Sequence, residues 1–116
     1  MDKPLHPSPT ACALVITTLS SREAALPVAR ALVDARLAAC VQLVDGLQSI
    51  YRWQGRVEES PECQLVAKAP PERVPALVER LRALHPYDLP EIVVLEAQAS
   101  DAYAAWVRAE TAPGPG

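Results

Sequence analysis

An imidazole, a phenol and two carboxylates fall within one short stretch, His85-Pro86-Tyr87-Asp88-Leu89-Pro90-Glu91. An imidazole and a carboxylate close together suit Cu(II) or Zn(II), which accept nitrogen and oxygen donors. Each proline lacks a backbone donor and pushes the residue before it out of the α region. The turn is therefore stiff, and it fixes the spacing of His85 and Glu91 before any ion arrives. Two ligands make only part of a metal site, so water, a third side chain or a neighbouring subunit must complete it. On spacing alone, a structural contact between His85 and Glu91 is the simpler explanation of the same pair.

Other chemistry is sparse. Glu62 and Lys68 share one face of a strand, which fits an ion pair or an anion site. Glu58, Glu59 and Glu62 near a hairpin turn read most simply as a solvated edge. Residues 18–22, Thr-Leu-Ser-Ser-Arg, are a faint echo of a phosphate-cradling loop, which would make the chain a small hydrolase of the acylphosphatase type with Arg22 as its cation. A Ser-His-Asp triad has only His85 or His6 to serve as base, and no nucleophile elbow is present. The four glycines, at positions 46, 55, 114 and 116, form no phosphate loop. The expectation is a protein that is not an enzyme and uses no organic cofactor.

The 116 residues make one domain. Half are hydrophobic and 22% charged, which is ordinary for a globular chain. Phe is absent, so the core must be built from Val, Leu, Ile and Ala, and a small domain of that kind gains from burying further surface in an oligomer. A net charge of −3 with scattered Lys and Arg argues against a nucleic-acid partner. No apolar run reaches the ~20 residues that a membrane helix needs. Cys12, Cys40 and Cys63 are few, odd in number and far apart. They read as packing residues in a reducing compartment, which points to the cytoplasm.

Several elements must position the turn. Residues 1–10 hold three prolines and no periodicity and read as a disordered tail; residues 111–116 read as a flexible end, leaving 11–110 as the domain. Residues 13–19 are apolar and β-branched, a strand. Ser20 with Glu23 forms a capping box for a helix over 21–35, which either kinks at Pro27 or becomes regular only near Leu26. Residues 37–44 and 47–53 make a second strand with a bend or bulge at Asp45-Gly46. Gln54-Gly55 turns the chain into a third strand over 56–69. This hairpin is too long for one small sheet to cover, and with Tyr51 and Trp53 near its tip it calls for a partner chain. Val74, Leu77, Val78, Leu81 and Leu84 trace an amphipathic helix that stops at the proline turn. A buried strand over 92–98 follows, then a short helix over 101–110 with Tyr103, Ala104, Trp106 and Val107 as its apolar side. The order is a ferredoxin-like split βαβ, an α+β fold of βαββαβ plus a C-terminal helix.

One family fits these motifs in order. Leu37-Ala38-Ala39-Cys40, Ser49-Ile50-Tyr51-Arg52-Trp53-Gln54-Gly55, Glu62, Lys68 and His85-Pro86-Tyr87 with Pro90-Glu91-Ile92 closely resemble the CutA family of divalent-cation tolerance proteins. The resemblance implies a cytoplasmic ferredoxin-like homotrimer similar to the PII signalling proteins, in which hairpin strands extend into neighbouring sheets. It also implies copper binding, with His85 at the position of the family's histidine and Glu91 beside it. Thr17 stands where copper-binding bacterial members carry a cysteine, so a thiolate site is not available there. The second reading the resemblance supports is a PII-like sensor or adaptor. It would hold a small anion in an inter-subunit cleft near Tyr51, Arg52, Trp53, Glu62, Lys68 and Tyr87.

Overall fold

The computed structural model describes residues 8–114. Most of the expected N-terminal tail, residues 1–7, and the last two residues lie outside the described residues. The elements run β1 (Ala11–Leu19), α1 (Arg22–Asp34), β2 (Cys40–Trp53), β3 (Arg56–Ala69), α2 (Val74–Leu84), β4 (Val93–Gln98) and α3 (Asp101–Thr111). A single 3-10 turn, Pro71–Arg73, leads into α2. The four strands form one antiparallel sheet in the order β2-β3-β1-β4, which is the ferredoxin-like arrangement.

One face of the sheet builds the core. Val15 and Leu19 of β1 and Leu65, Ala67 and Ala69 of β3 alternate inward at the strand period of two. They meet Ala25, Val28, Ala29 and Leu32 of α1 and Leu77 and Leu81 of α2. α1 is helical from Arg22 despite Pro27, so its regular part does not wait for Leu26. Its cap is Ser21, one residue later than expected, whose hydroxyl accepts the Ala24 N–H at 3.1 Å.

The hairpin is as long as the sequence implies. Asp45-Gly46 is a bulge, with the register slipping between Val44 and Leu47 and Gly46 at φ +78°. Gln54 and Gly55 both take positive φ, the backbone that matches the twist of a two-residue hairpin turn. β1 ends at Leu19 opposite Cys63, so residues 56–62 of β3 have only β2 beside them. This stretch is an arm. It helps raise the radius of gyration to 15.5 Å, against roughly 13 Å for a compact chain of this length.

Three expectations need correction. β4 is not buried: it lies at the sheet's edge with only β1 for a neighbour, and Val93, Val94 and Leu95 are exposed. Residues 8–10 are not loose, since Ala99 N–H donates to the Thr10 carbonyl at 2.8 Å and extends the edge by one bond. Thr111, expected at the start of the flexible end, closes α3 and is buried. The inward side of α3 is Ala104, Val107 and Thr111, while Tyr103 and Trp106 stay partly exposed.

The C-terminus of α3 is held by two guanidiniums. Arg73 Nε donates to the Thr111 carbonyl at 2.9 Å, and Arg36 Nη1 to the Glu110 carbonyl at 3.4 Å. Both satisfy carbonyls that a helix end leaves without partners, and both place positive charge at the negative end of the dipole. Arg73→Ala should therefore cost about 1–2 kcal/mol and release the end of α3 first. A thermal melt and amide exchange at Ala109–Ala112 would measure it; unchanged exchange there would show that the clamp is idle.

Candidate functional site

The proline turn, the end of β1 and the arm enclose a cavity of about 640 Å³. β1 contributes Thr18, the arm contributes Ser49, Tyr51, Trp53, Ser60 and Glu62 among others, and the turn contributes Tyr87, Asp88, Leu89 and Glu91. The cavity exists because β1 stops short of the arm, and the turn after α2 drops into the space left beside β3.

His85 anchors the turn from below. Its N–H closes α2 by donating to the Leu81 carbonyl at 2.9 Å, and its φ −75°, ψ 133° is the extended backbone that a following proline demands. The ring is 8% exposed. Nδ1 accepts the Tyr87 N–H at 3.2 Å, so in the neutral ring the proton is assigned to Nε2. Nε2–H then donates to the Thr18 carbonyl at 2.9 Å, with the Thr17 hydroxyl at 3.0 Å. Both ring nitrogens are thus in use, and the acceptor that fixes the tautomer is Thr18 rather than Glu91. Among the described residues no hydrogen bond or ion pair joins His85 to Glu91, so the expected structural contact between them is absent. The Thr17 hydroxyl sits beside the imidazole.

Tyr87 links the turn to the arm. Its hydroxyl donates to Glu62 Oε2 at 2.9 Å, and its ring meets His85 edge-on with centroids 4.7 Å apart. Burial, then the Glu62 carboxylate as hydrogen-bond acceptor and neighbouring charge, push the Tyr87 phenol up to about 12. On the other wall Tyr51 and Ser60 share a hydroxyl–hydroxyl bond of 3.0 Å.

A raised phenol stabilises the fold only while it is protonated. That contribution is whole below the unfolded value near pH 10 and is lost as pH rises from about 10 to about 12, because the unfolded chain then gives up the proton first. Ultraviolet titration should show one of the three tyrosines ionising near pH 12, and Tyr87→Phe should delete that step. A late step that survives in Y87F would mean the Tyr87–Glu62 bond is not what delays it.

The remaining candidates scatter. Glu62 and Lys68 do share a face, but six residues at ~3.4 Å each put them roughly 20 Å apart, too far for a direct ion pair. Lys68 instead lies over the Tyr103 ring, 5.7 Å from its centroid. Neither Lys68 nor Arg52 lines the cavity. The loop after β1 is already occupied: Ser21 caps α1, and Arg22 pairs with Asp45 at 3.4 Å, leaving little of a phosphate cradle. Thr18, Ser49, Ser60 and Leu89 were not singled out from the sequence, whereas Asp88 was counted as one of the turn's two carboxylates. For Ser49 and Ser60 the signal was there, since both share a strand face with residues that were, Tyr51 and Glu62. Burial pushes the Cys12 and Cys63 thiols up, as fits packing residues.

Among the described residues no three His, Cys, Asp or Glu side chains converge as a metal site, so one chain alone does not supply a full donor set. The cavity wall still carries Glu62, Asp88 and Glu91 and no Lys or Arg, so it favours cations.

The family comparison agrees with the fold and the motifs. The family described as "CutA1 divalent ion tolerance protein" matches residues 13–110. The chain belongs to the CutA1 family. A divalent-cation tolerance protein CutA from Thermus thermophilus is 50% identical over 99 residues, covering 84% of this chain and 96% of that one. The solved structure of the divalent cation tolerance protein Cut A1 from Thermus thermophilus superposes with a TM-score of 0.81 at 48% identity, covering 85% of this chain and 97% of that one. Human Protein CutA is 38% identical over 104 residues, covering 89% of this chain but only 58% of the human protein. No helix among the described residues is long and apolar enough to cross a membrane.

Proposed function

We propose that this CutA1 chain is a non-enzymatic homotrimer that contributes to divalent-cation tolerance by binding Cu(II) or another divalent ion in the cleft between the arm and the proline turn. The observation that carries this reading is the lining: three carboxylates and no cationic side chain, in a chain whose relatives are named for divalent cations. Glu91 is the exposed ligand. His85 lies behind the cavity wall and does not line it, so it joins through Nδ1 only when the turn shifts and releases the Tyr87 N–H; water or a neighbouring subunit completes the set. With Thr17 in place of a cysteine, all available donors are nitrogen or oxygen, so affinity is modest and Cu(II) is preferred over Zn(II).

One further point supports the non-enzymatic reading. The Tyr87 phenol is pushed up to about 12, so it is no general base at neutral pH. The cations of the small-anion reading, Arg52 and Lys68, lie outside this cavity, so that reading needs a separate cleft between subunits. Free cysteines support a cytoplasmic setting. Calorimetric titration of the full chain, with His6→Ala to remove a competing site, should give saturable Cu(II) binding and weaker Zn(II) binding. Equal affinities, or no saturation with either ion, would contradict the reading.

A further inference from the structure

The cavity has a feature that coordination of a point ion does not use. Three aromatic rings, Tyr51, Trp53 and Tyr87, share its wall with the carboxylates of Glu62, Asp88 and Glu91. Its volume of about 640 Å³ lies within the roughly 300–1,000 Å³ of small-molecule sites, far more than one metal ion fills. The carboxylates are spread around this space, since no three of the metal-binding side chains among the described residues converge. Dispersed negative charge beside aromatic side chains fits a cation that is itself extended. Alkylammonium groups meet both features: they are drawn to ring faces, and their N–H bonds donate to carboxylates.

An unpaired hydroxyl points the same way. Thr18 is 7% exposed and lines the cavity. It pairs with Gln64, which lies two residues from Glu62 on β3, so Thr18 and Glu62 project from the same face of the sheet. Its hydroxyl has no hydrogen-bond partner among the described residues. No fully enclosed side-chain oxygen or nitrogen among them lacks a partner, so this hydroxyl keeps some solvent access on a residue that lines the cavity. An unpaired hydroxyl on a lining residue can accept an N–H from a guest. Glu62 offers the same, because Tyr87 occupies only its Oε2.

We propose that the cleft binds a linear organic diamine, with its ammonium groups held between Glu62, Asp88 and Glu91 and its methylene chain against Tyr51 and Trp53. This does not depend on the metal reading, since it needs the carboxylates and the rings but not His85. Calorimetry on metal-stripped full-length protein with 1,4-diaminobutane tests it. Saturable binding of one diamine per chain is expected, with none for 1,4-butanediol, which has the same length and no charge. Glu62→Gln should weaken the diamine about tenfold, the effect of losing one charge-assisted hydrogen bond. Glu72→Gln makes the same charge change on the turn before α2, outside the cleft, and should leave the affinity unaltered. Failure of the diamine to saturate, or equal weakening by E62Q and E72Q, would overturn the proposal. Copper binding without diamine binding overturns this proposal alone. Diamine binding without copper binding overturns the metal reading alone.

Discussion

Replacing Val57 with Asp should turn the assembled protein into monomers. Val57 lies on the arm, 62% exposed, and Ile50 across the hairpin is 66% exposed. Pairing of Arg52 with Val57 and of Ile50 with Glu59 puts both apolar side chains on one face of the arm. The chain's own helices do not cover this stretch, because β1 ends opposite Cys63. Left in water, each side chain forgoes about 1.5–3 kcal/mol of burial. At the far edge of the sheet, β4 exposes Val93, Val94 and Leu95 together with an unpaired row of backbone groups. An arm that overreaches and an edge that lacks a neighbour are complementary defects, and a closed ring of copies repairs both in every subunit. A buried, unpaired carboxylate would cost several kcal/mol at each contact, more than one such contact contributes. Light scattering should report a trimer for the parent and the 12.5 kDa monomer for V57D. A parent that is already monomeric, or a V57D variant that stays trimeric, would remove the arm from the assembly.

The parts of this architecture set by local rules were legible in the chain. The stripe from Val74 to Leu84, the bulge at Asp45-Gly46 and the Gln54-Gly55 turn are each written in a few adjacent residues, and each is present. The burial of β4 was misjudged for a physical reason. A continuous apolar run marks a strand covered on both faces, but it does not say whether the cover comes from the same chain. The candidate site was half legible. His85, Tyr87 and Glu91 stand on one rigid turn, and the motif that holds them is compact. Their orientation depends on contacts across the sheet: the Thr18 carbonyl, 67 residues away in sequence, takes the His85 proton. The same non-local packing sends Lys68 to Tyr103 and away from Glu62.

Because His85 is buried and fully hydrogen-bonded, its removal has two effects that must be separated. His85→Ala strands the Thr18 carbonyl and the Tyr87 N–H, which should cost about 2–4 kcal/mol of stability in addition to any lost coordination. Glu91 makes no hydrogen bond or ion pair among the described residues, so Glu91→Gln changes the ligand without disturbing the scaffold. The most direct measurement is therefore a Cu(II) titration of the protein carrying His6→Ala, alone and combined with Glu91→Gln or His85→Ala, each checked first for mass and melting temperature. Divalent-ion binding in the cleft predicts an affinity loss of about tenfold for E91Q and about 100-fold for a folded H85A. Folded trimers of both variants that bind Cu(II) as tightly as their parent would contradict it and move the metal elsewhere.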